Sequence, residues 1–501
     1  MQSFIALANT LIVMFCINLQ DSSEFAFLSF RKNVCTGIME FNDKWPALLG
    51  SLIIFADFLL YYYGQIPALA GITAAGALAM LYRFEDTRKS FARYWPVMAL
   101  TFVVLFGIHS RIYGYNFSYL RNIDSYAFTR EMQMIVENGY LQTTDPLFFR
   151  SPYENTLTAP LDFNLLWILR APYQYLGAYS FMLVRSFMPM LELWRYLIVF
   201  PPVLASVAAI PMYFIGREMY DRKAGIMAAL LYIFDISNFQ RSLGGDPDTD
   251  AIVMLMPMLV MAFYLLMHRR IDSRGLDKVS ALFAVLGGVS LALFQNVWAG
   301  YWYTVWIIAV FLVVKLGISA MRLGSMVKML AVAKPHLMGF ALLFLAYLAV
   351  NFQFFGAGTI ISTVFGPFEY GGLKNEVGRA FPNVYVSVAE LQQPGDVVSI
   401  IKRVTGIDGP ALWLSPFMLT VYALAGLAML AASGHKRHLD GLIILFLWFM
   451  GPMLATLVAV RFTILFSAPM SIGTAILFSM AYGYVAGEFK KVDVVKTEAP
   501  I

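Results

Sequence analysis

The chain is 501 residues long, 59% hydrophobic and 16% aromatic, with 13% charged residues. A soluble protein carries roughly 25% charged residues, so this chain cannot cover its own surface with charge and needs lipid as its solvent. Two cysteines, Cys16 and Cys35, exclude a disulfide framework and a thiolate metal cluster, and the net charge of +5 reads as loop bias, not as a nucleic-acid footprint.

Residues 3–19 are apolar but lack a basic leader and a clear small-residue cleavage site, so they read as a span that stays in place. Further apolar segments follow at about 46–63, 66–82 and 95–110. A polar and aromatic stretch, 111–190, carries too many charges to cross a bilayer. Apolar segments resume at about 197–215, 224–236, 250–267, 279–297, 300–315 and 337–355. A second non-spanning stretch occupies 356–410, and last spans fit 411–433, 441–458 and 462–486. The expectation is an all-α polytopic membrane protein with about 13 transmembrane helices and two large loops on one side.

Basic loops orient the spans. Arg83, Arg88, Lys89 and Arg93 precede the fourth. Arg217, Arg222 and Lys223 follow the fifth, and Arg269, Arg270, Arg274 and Lys278 follow the seventh. Lys315, Arg322, Lys328 and Lys334 follow the ninth, and Lys436 and Arg437 follow the eleventh. The positive-inside rule places all five in the cytoplasm. Parity then puts 111–190, 236–250, 296–300, 356–410 and 459–461 outside.

Those outer loops hold a set of acids. Asp124 lies in Arg121-Asn122-Ile123-Asp124-Ser125-Tyr126-Ala127-Phe128. Asp246, Asp248 and Asp250 lie in Gly244-Gly245-Asp246-Pro247-Asp248-Thr249-Asp250, and Glu390 in Ser387-Val388-Ala389-Glu390. Arg241 and Arg461 accompany them on the same side. In an extended or turn segment, an Asp-x-Asp pair can aim two carboxylates at one divalent cation, and such hard oxygen ligands suit magnesium or manganese. A cation there offsets the charge of a departing diphosphate, and guanidinium groups match phosphate oxygens. The five histidines (109, 268, 336, 435 and 438) show no zinc-like spacing.

Each feature also has a plainer reading. Asp-x-Asp is frequent in loops, Asp250 serves equally as a helix N-cap, and Glu390 as a solvated loop acid. Arg461 at a span end fits an interfacial snorkeller. Asp57, inside the second span, fits a packed acid as well as a functional one. The aromatic run Trp298–Trp306 fits a membrane-interface belt.

Taken in order along one face, these motifs resemble the catalytic subunit of oligosaccharyltransferase in its single-subunit archaeal and bacterial form, over roughly residues 95–486. Asp-Ser-Tyr-Ala-Phe resembles the family's first Asp-x-Asp region, with Asp124 at the metal-binding acid and Asn122 at its variable first position. Arg241 through Asp250 resembles the second Asp-x-Asp motif with its upstream arginine. Trp298-Ala299-Gly300-Tyr301 resembles an aromatic-glycine segment, Ser387-Val388-Ala389-Glu390 the external-loop motif, and Arg461-Phe462 with Pro469 the arginine that meets the donor pyrophosphate.

The resemblance implies a GT-C-type glycosyltransferase fold and transfer of a glycan from a lipid-linked donor to the side-chain amide of asparagine in acceptor proteins. It implies Asp124 and Glu390 as catalytic acids, and Asp124, Asp248, Asp250 and Glu390 around a divalent metal (magnesium or manganese). Arg461 and Arg241 are then on the pyrophosphate. An amide nitrogen is a poor nucleophile because its lone pair is delocalised; carboxylates accepting both amide hydrogens favour a twisted, localised form.

Two departures stand out. No Trp-Trp-Asp occurs, although the family carries that motif in an external globular domain that reads the Ser or Thr after the acceptor. The chain ends in a Lys-bearing tail, 487–501, expected to be cytoplasmic, so the reading allows a second chain to supply that domain. Residues 1–94 add spans before the family's first. Three other readings stay open: a non-catalytic relative, another membrane glycosyltransferase using a lipid-phosphate sugar, and a transporter. The sequon Asn116-Phe117-Ser118 in the first outer loop is an expected acceptor pattern.

Overall fold

A computed structural model describes residues 48–55, 85–113, 115, 117–141, 165–372, 396–458 and 462–487. The chain divides into two compact units, residues 1–102 and 103–501. The first unit holds a helical stretch at 48–55 and the opening turns of α1 (Glu85–Ile112). The second unit holds the rest of α1 and every helix after it.

All the regular structure described is helical. After α1 come α2 (Ile123–Asn138), α3 (Leu165–Arg170), α4 (Pro172–Phe187), α5 (Leu193–Val207), α6 (Ala209–Met219), α7 (Arg222–Phe234) and α8 (Ile236–Gln240). The long helices α9 (Asp250–Arg274), α10 (Lys278–Val297), α11 (Trp302–Leu323) and α12 (Met326–Phe355) follow. Then come α13 (Gly358–Gly372), α14 (Val397–Thr405), a 3-10 turn (Gly409–Leu414), α15 (Pro416–Ala432), α16 (Lys436–Val458) and α17 (Thr463–Val485).

Eight helices among the described residues are long and apolar enough to cross a membrane, not the thirteen expected. They are Lys89–Ile112, Leu193–Met219 (α5 and α6 taken together), Asp250–Arg274, Lys278–Val297, Trp302–Leu323, Met326–Phe355, Lys436–Leu457 and Thr463–Val485. The difference has two sources. The expected spans 3–19 and 66–82 lie outside the described residues, and 46–63 is described only at 48–55. The expected spans 224–236 and 411–433 are the 13-residue α7 and the 17-residue α15. At 1.5 Å per residue these reach about 20 and 26 Å, short of a hydrocarbon core of about 30 Å.

Burial sorts the long helices. Within its apolar window α9 is 83% buried and α17 78%, against 22% for α12. So α9 and α17 form the interior, which is why α9 is apolar on all sides rather than striped. The interior is close-packed through small residues, as expected where lipid gives no hydrophobic drive between helices. At Gly288 on α10, an added Cβ would lie 2.2 Å from the Leu343 carbonyl oxygen of α12. At Gly225 on α7, it would lie 2.6 Å from the Tyr213 carbonyl oxygen of α6.

The basic loops come together at one end. Arg437 donates to the Arg217 carbonyl oxygen at 2.7 Å, and Arg269 donates to the carbonyl oxygens of Arg437 at 2.9 Å and Glu218 at 3.2 Å. Lys315 reaches Asp272 at 3.4 Å and Asp440 at 3.1 Å. Four of the five basic loops expected from the sequence therefore share the Arg274 end of α9. At the Asp250 end, a buried polar network joins α10, α11, α12 and α13. Tyr347 donates to Gln295 at 2.8 Å, Asn351 donates to Gln295 at 2.6 Å, and the Tyr301 hydroxyl lies 2.8 Å from that of Thr363. In lipid, such groups must be satisfied within the protein.

Replacing Gly288 by Val forces α10 and α12 apart against backbone, where no side chain can yield. The expected cost is about 1–3 kcal/mol. It should appear as a lower midpoint of thermal unfolding in detergent for G288V, whereas a change at Gly317, whose Cβ would meet open space, should leave the midpoint in place.

Candidate active site

The site begins with a loop, 241–249, between α8 and α9. Its position is fixed by backbone hydrogen bonds from three directions. Gly244 N–H donates to the Arg111 carbonyl oxygen at 2.9 Å, Gly245 N–H donates to that of Ile198 at 3.1 Å, and Arg121 N–H donates to that of Gly245 at 2.8 Å. Gly245 has φ +77°, and a Cβ there would lie 2.6 Å from the Tyr115 hydroxyl oxygen. Both its conformation and its lack of a side chain are needed.

The Arg111 side chain, buried at 2% exposure, completes the anchor. It donates to the Ser242 hydroxyl at 2.7 Å and to the Ile233 carbonyl oxygen at 2.6 Å, and it stacks 4.9 Å from the Phe239 ring centre. A cation at the end of a span has a high desolvation cost, which these acceptors and the ring offset.

This loop joins the two acid-bearing segments. Asp124 is the exposed second residue of α2, and its neighbour Ser125 is fully buried. The Ser125 hydroxyl donates to Asp246 at 2.8 Å across 121 residues of chain. Asp248, half-buried, accepts from the Thr249 N–H at 2.5 Å and from its hydroxyl at 3.2 Å. Asp250 begins α9 and takes an ion pair from Arg241 at 2.8 Å. Of the expected site, Asp124, Asp248, Asp250 and Arg241 therefore lie around one loop. Arg241 is committed to Asp250, which holds the second acid pair in place. Glu390, Arg461, Asp57 and Asn116 lie outside the described residues.

The electrostatics of the loop are those of excess negative charge. Burial, and then the charge of Asp250, raise the Asp248 carboxyl from its ordinary 3.8 to about 6, against the two hydrogen bonds from Thr249. Burial chiefly raises Asp246 as well, with Ser125 opposing and Asp250 adding. The Tyr173 hydroxyl, buried and without a hydrogen-bond partner among the described residues, is pushed well up by burial and then by the same three acids. A cluster of half-buried carboxylates that raise one another's pKa fits a hard divalent cation, which supplies the missing positive charge through oxygen ligands. Asp124, Asp246, Asp248 and Asp250 are the carboxylates on or beside this loop.

Several of these groups carry no signal in the sequence. Arg111 ends an apolar run, where an arginine reads as an interface residue. Ser125 stands in the first acid motif with no role of its own there, and Tyr173 carries no motif. The absence of zinc-like histidine spacing is also incomplete as a guide. His268 and Asp272 sit one helical turn apart on α9, and folding brings His336 of α12 to them, so that one ligand atom of each lies within 4.8 Å of the others. The signal in the sequence is the i, i+4 pair; the third member is 64 residues further on.

A family model, oligosaccharyl transferase STT3, N-terminal, matches residues 97–497. The chain belongs to this family. Among STT3 relatives, a dolichyl-phosphooligosaccharide-protein glycotransferase of Methanococcus voltae is 23% identical over 320 residues, covering 58% of this chain and 34% of that protein. Its counterpart in Methanocaldococcus jannaschii is 27% identical over 206 residues, 39% of this chain and 21% of that one. The apo crystal structure of the Archaeoglobus fulgidus oligosaccharyltransferase has a TM-score of 0.54 at 16% identity, covering 79% of this chain and 52% of that one. The complex of archaeal AglB from the same organism with an inhibitory peptide and a dolichol-phosphate gives 0.51 at 17% identity. At that identity the likeness is one of fold, an all-α, multi-pass, GT-C-like arrangement. The chain spans about a third of the Methanococcus protein and about half of the Archaeoglobus chain.

The raised pKa of Asp248 has a consequence for cation binding. Above about pH 6 the carboxylate is ionised in the metal-free protein and is available as a ligand; below it, a cation must displace a proton. Manganese affinity, followed by EPR between pH 5 and 8, is expected to be level above pH 6 and to fall about tenfold per unit below it. An affinity that stays level down to pH 5 would exclude Asp248 as a ligand.

Proposed function

We propose that this chain transfers a glycan from a lipid-linked polyprenyl phosphate or diphosphate donor to the side-chain amide of asparagine in acceptor proteins. The observation that carries the reading is the Ser125–Asp246 bond, which ties the first acid segment to the second in a chain of the STT3 family. Asp124 and Glu390 are the acids that accept the amide hydrogens. Asp124, Asp248 and Glu390 hold a magnesium or manganese ion, with Asp250 supporting them through Arg241. Bound there, the cation supplies Lewis-acid stabilisation of the departing diphosphate. Arg461 adds a guanidinium to the same phosphate oxygens, and Arg241 reaches them only if its bond to Asp250 yields.

The donor's lipid tail has a place beside this end of the bundle. A cavity of about 520 Å³ is lined by Trp298, Trp302, Trp306, Met450, Pro452 and Phe462, among others. Its walls are almost wholly apolar, which suits a polyprenyl chain. In this reading the protein lies in the cell membrane as a multi-pass protein, with the basic loops in the cytoplasm and the acids outside. Residues 95–486 form the catalytic part with external loops 111–190 and 356–410, preceded by further spans in 1–94 and followed by a cytoplasmic tail, 487–501.

The test is transfer of a labelled lipid-linked glycan to an Asn-x-Thr peptide by the purified chain, with and without an added globular domain carrying the Trp-Trp-Asp motif. Asp124→Asn, Asp248→Asn or Glu390→Gln should each lower turnover by about a hundredfold or more. Arg461→Ala should chiefly raise KM for the donor. Turnover that persists in EDTA, or in the Asp248→Asn variant, would contradict the assignment.

A further inference from the structure

A second group of metal-ligating side chains lies far from the acids just described. Asp250 and His268 are eighteen residues apart on α9, which is about 27 Å of helix. Four elements contribute to the cluster: α9 with His268, Arg269 and Asp272, α11 with Lys315, α12 with His336, and α16 with Asp440. His268 is 1% exposed, Asp440 8% and His336 11%.

The polar atoms face one point. His268 Nε2 lies 3.2 Å from Asp440 Oδ2 and 3.6 Å from Asp272 Oδ2, and His336 Nε2 lies 3.1 Å from Asp272 Oδ1. Zinc bonds of 2.0–2.1 Å give a tetrahedron with edges of about 3.3 Å, which these separations bracket. The two imidazoles lie with ring centres 4.5 Å apart.

The occupant of this point in the structure is the Lys315 ammonium. It lies 2.9 Å from His268 Nε2, 3.1 Å from Asp440 Oδ2 and 3.4 Å from Asp272 Oδ1. An ammonium has three hydrogens to donate and no lone pair. His268 Nε2 faces both this donor and the Asp440 carboxylate; the tautomer with its proton on Nδ1, which accepts from Lys315, is the form in which imidazole binds a metal. Arg269, 3.6 Å from Asp440 and 3.9 Å from Asp272, adds a second positive charge at the rim.

We propose that His268, Asp272, His336 and Asp440 form a binding site for a divalent cation of the zinc class, separate from the acid cluster at the other end of α9, with the Lys315 ammonium as its competitor. Two imidazoles among the ligands select zinc-like ions over magnesium, which prefers oxygen alone. Lys315 is partly exposed, with 24% of its side chain accessible, so it can swing toward solvent when the metal enters. A filled site staples α9, α12 and α16 together beside the close approach of Gly339 to Met267 and Ile271.

Cobalt reports on the site, because a tetrahedral Co2+ absorbs strongly in the visible and an octahedral one does not. The full chain, purified in detergent and stripped with chelator, is titrated with Co2+ and then with Zn2+. The wild type should develop a visible band that zinc abolishes. Asp124→Asn with Asp248→Asn should retain the band, and His268→Gln with His336→Gln should lose it. Lys315→Met should bind cobalt about tenfold more tightly, since it removes a competing charge; this gain separates metal binding from a mere loss of folding. No band in either the wild type or the Lys315→Met variant would overturn the proposal. So would a band that survives the double histidine change, or weaker binding by Lys315→Met.

Discussion

The structure around the acids depends on one constraint, that the loop 241–249 must reach the end of α1 and the start of α2. The Ser125–Asp246 bond makes this joint explicit, and the buried Arg111 makes it rigid through Ser242 and the Ile233 carbonyl oxygen. Without the joint, Asp124 and Asp248 would belong to separate loops at a membrane surface and repel each other at a distance. With it, Asp246 and Asp248 sit half-buried beside Asp250, where burial and then neighbouring charge raise their carboxyls, and a cation becomes a natural complement. The membrane explains why the joint is made of hydrogen bonds. A loop that closes over the end of a bundle has little water to satisfy its backbone, so Gly244, Gly245 and Arg121 find carbonyl partners on α1, α5 and the loop itself.

The α9 helix carries opposite chemistries at its two ends. Asp250, at one end, belongs to an oxygen-rich cluster with an excess of negative charge. Its other end, at His268 and Asp272, belongs to a mixed cluster in which Lys315 and Arg269 balance two carboxylates. Between them the helix is apolar on all sides and almost wholly buried. A helix in that position cannot tilt or slide without disturbing both ends, which suits a scaffold that must hold carboxylates in register.

Much of this is legible in the sequence, for identifiable reasons. The long spans follow from hydropathy, and eight of them appear at the expected places, although α12 begins eleven residues earlier and α9 and α11 end seven and eight residues later than expected. The grouping of the basic loops follows from charge bias, and Arg217, Arg269, Lys315 and Arg437 do meet. Helix count is less legible, because apolar runs whose helices are 13 and 17 residues long read like full-length spans, and three further expected spans lie wholly or partly outside the described residues. Asp248 and Asp250 stand out through their spacing and Asp124 through the family resemblance, and the fold brings the three around one loop. Ser125, Arg111 and Tyr173 do not stand out, since each acts through a contact more than 70 residues away or through burial alone. His336 is hidden as a lone histidine in an apolar helix, 64 residues along the chain from Asp272.

The most direct measurement is the position of a bound manganese ion, located by anomalous scattering from crystals of the full chain grown with Mn2+. The account predicts a peak at the Asp250 end of α9, within coordination distance of the Asp248 and Asp124 carboxylates. A peak confined to the His268 end, or an Asp248 carboxylate that touches no metal while Mn2+ supports transfer, would contradict it.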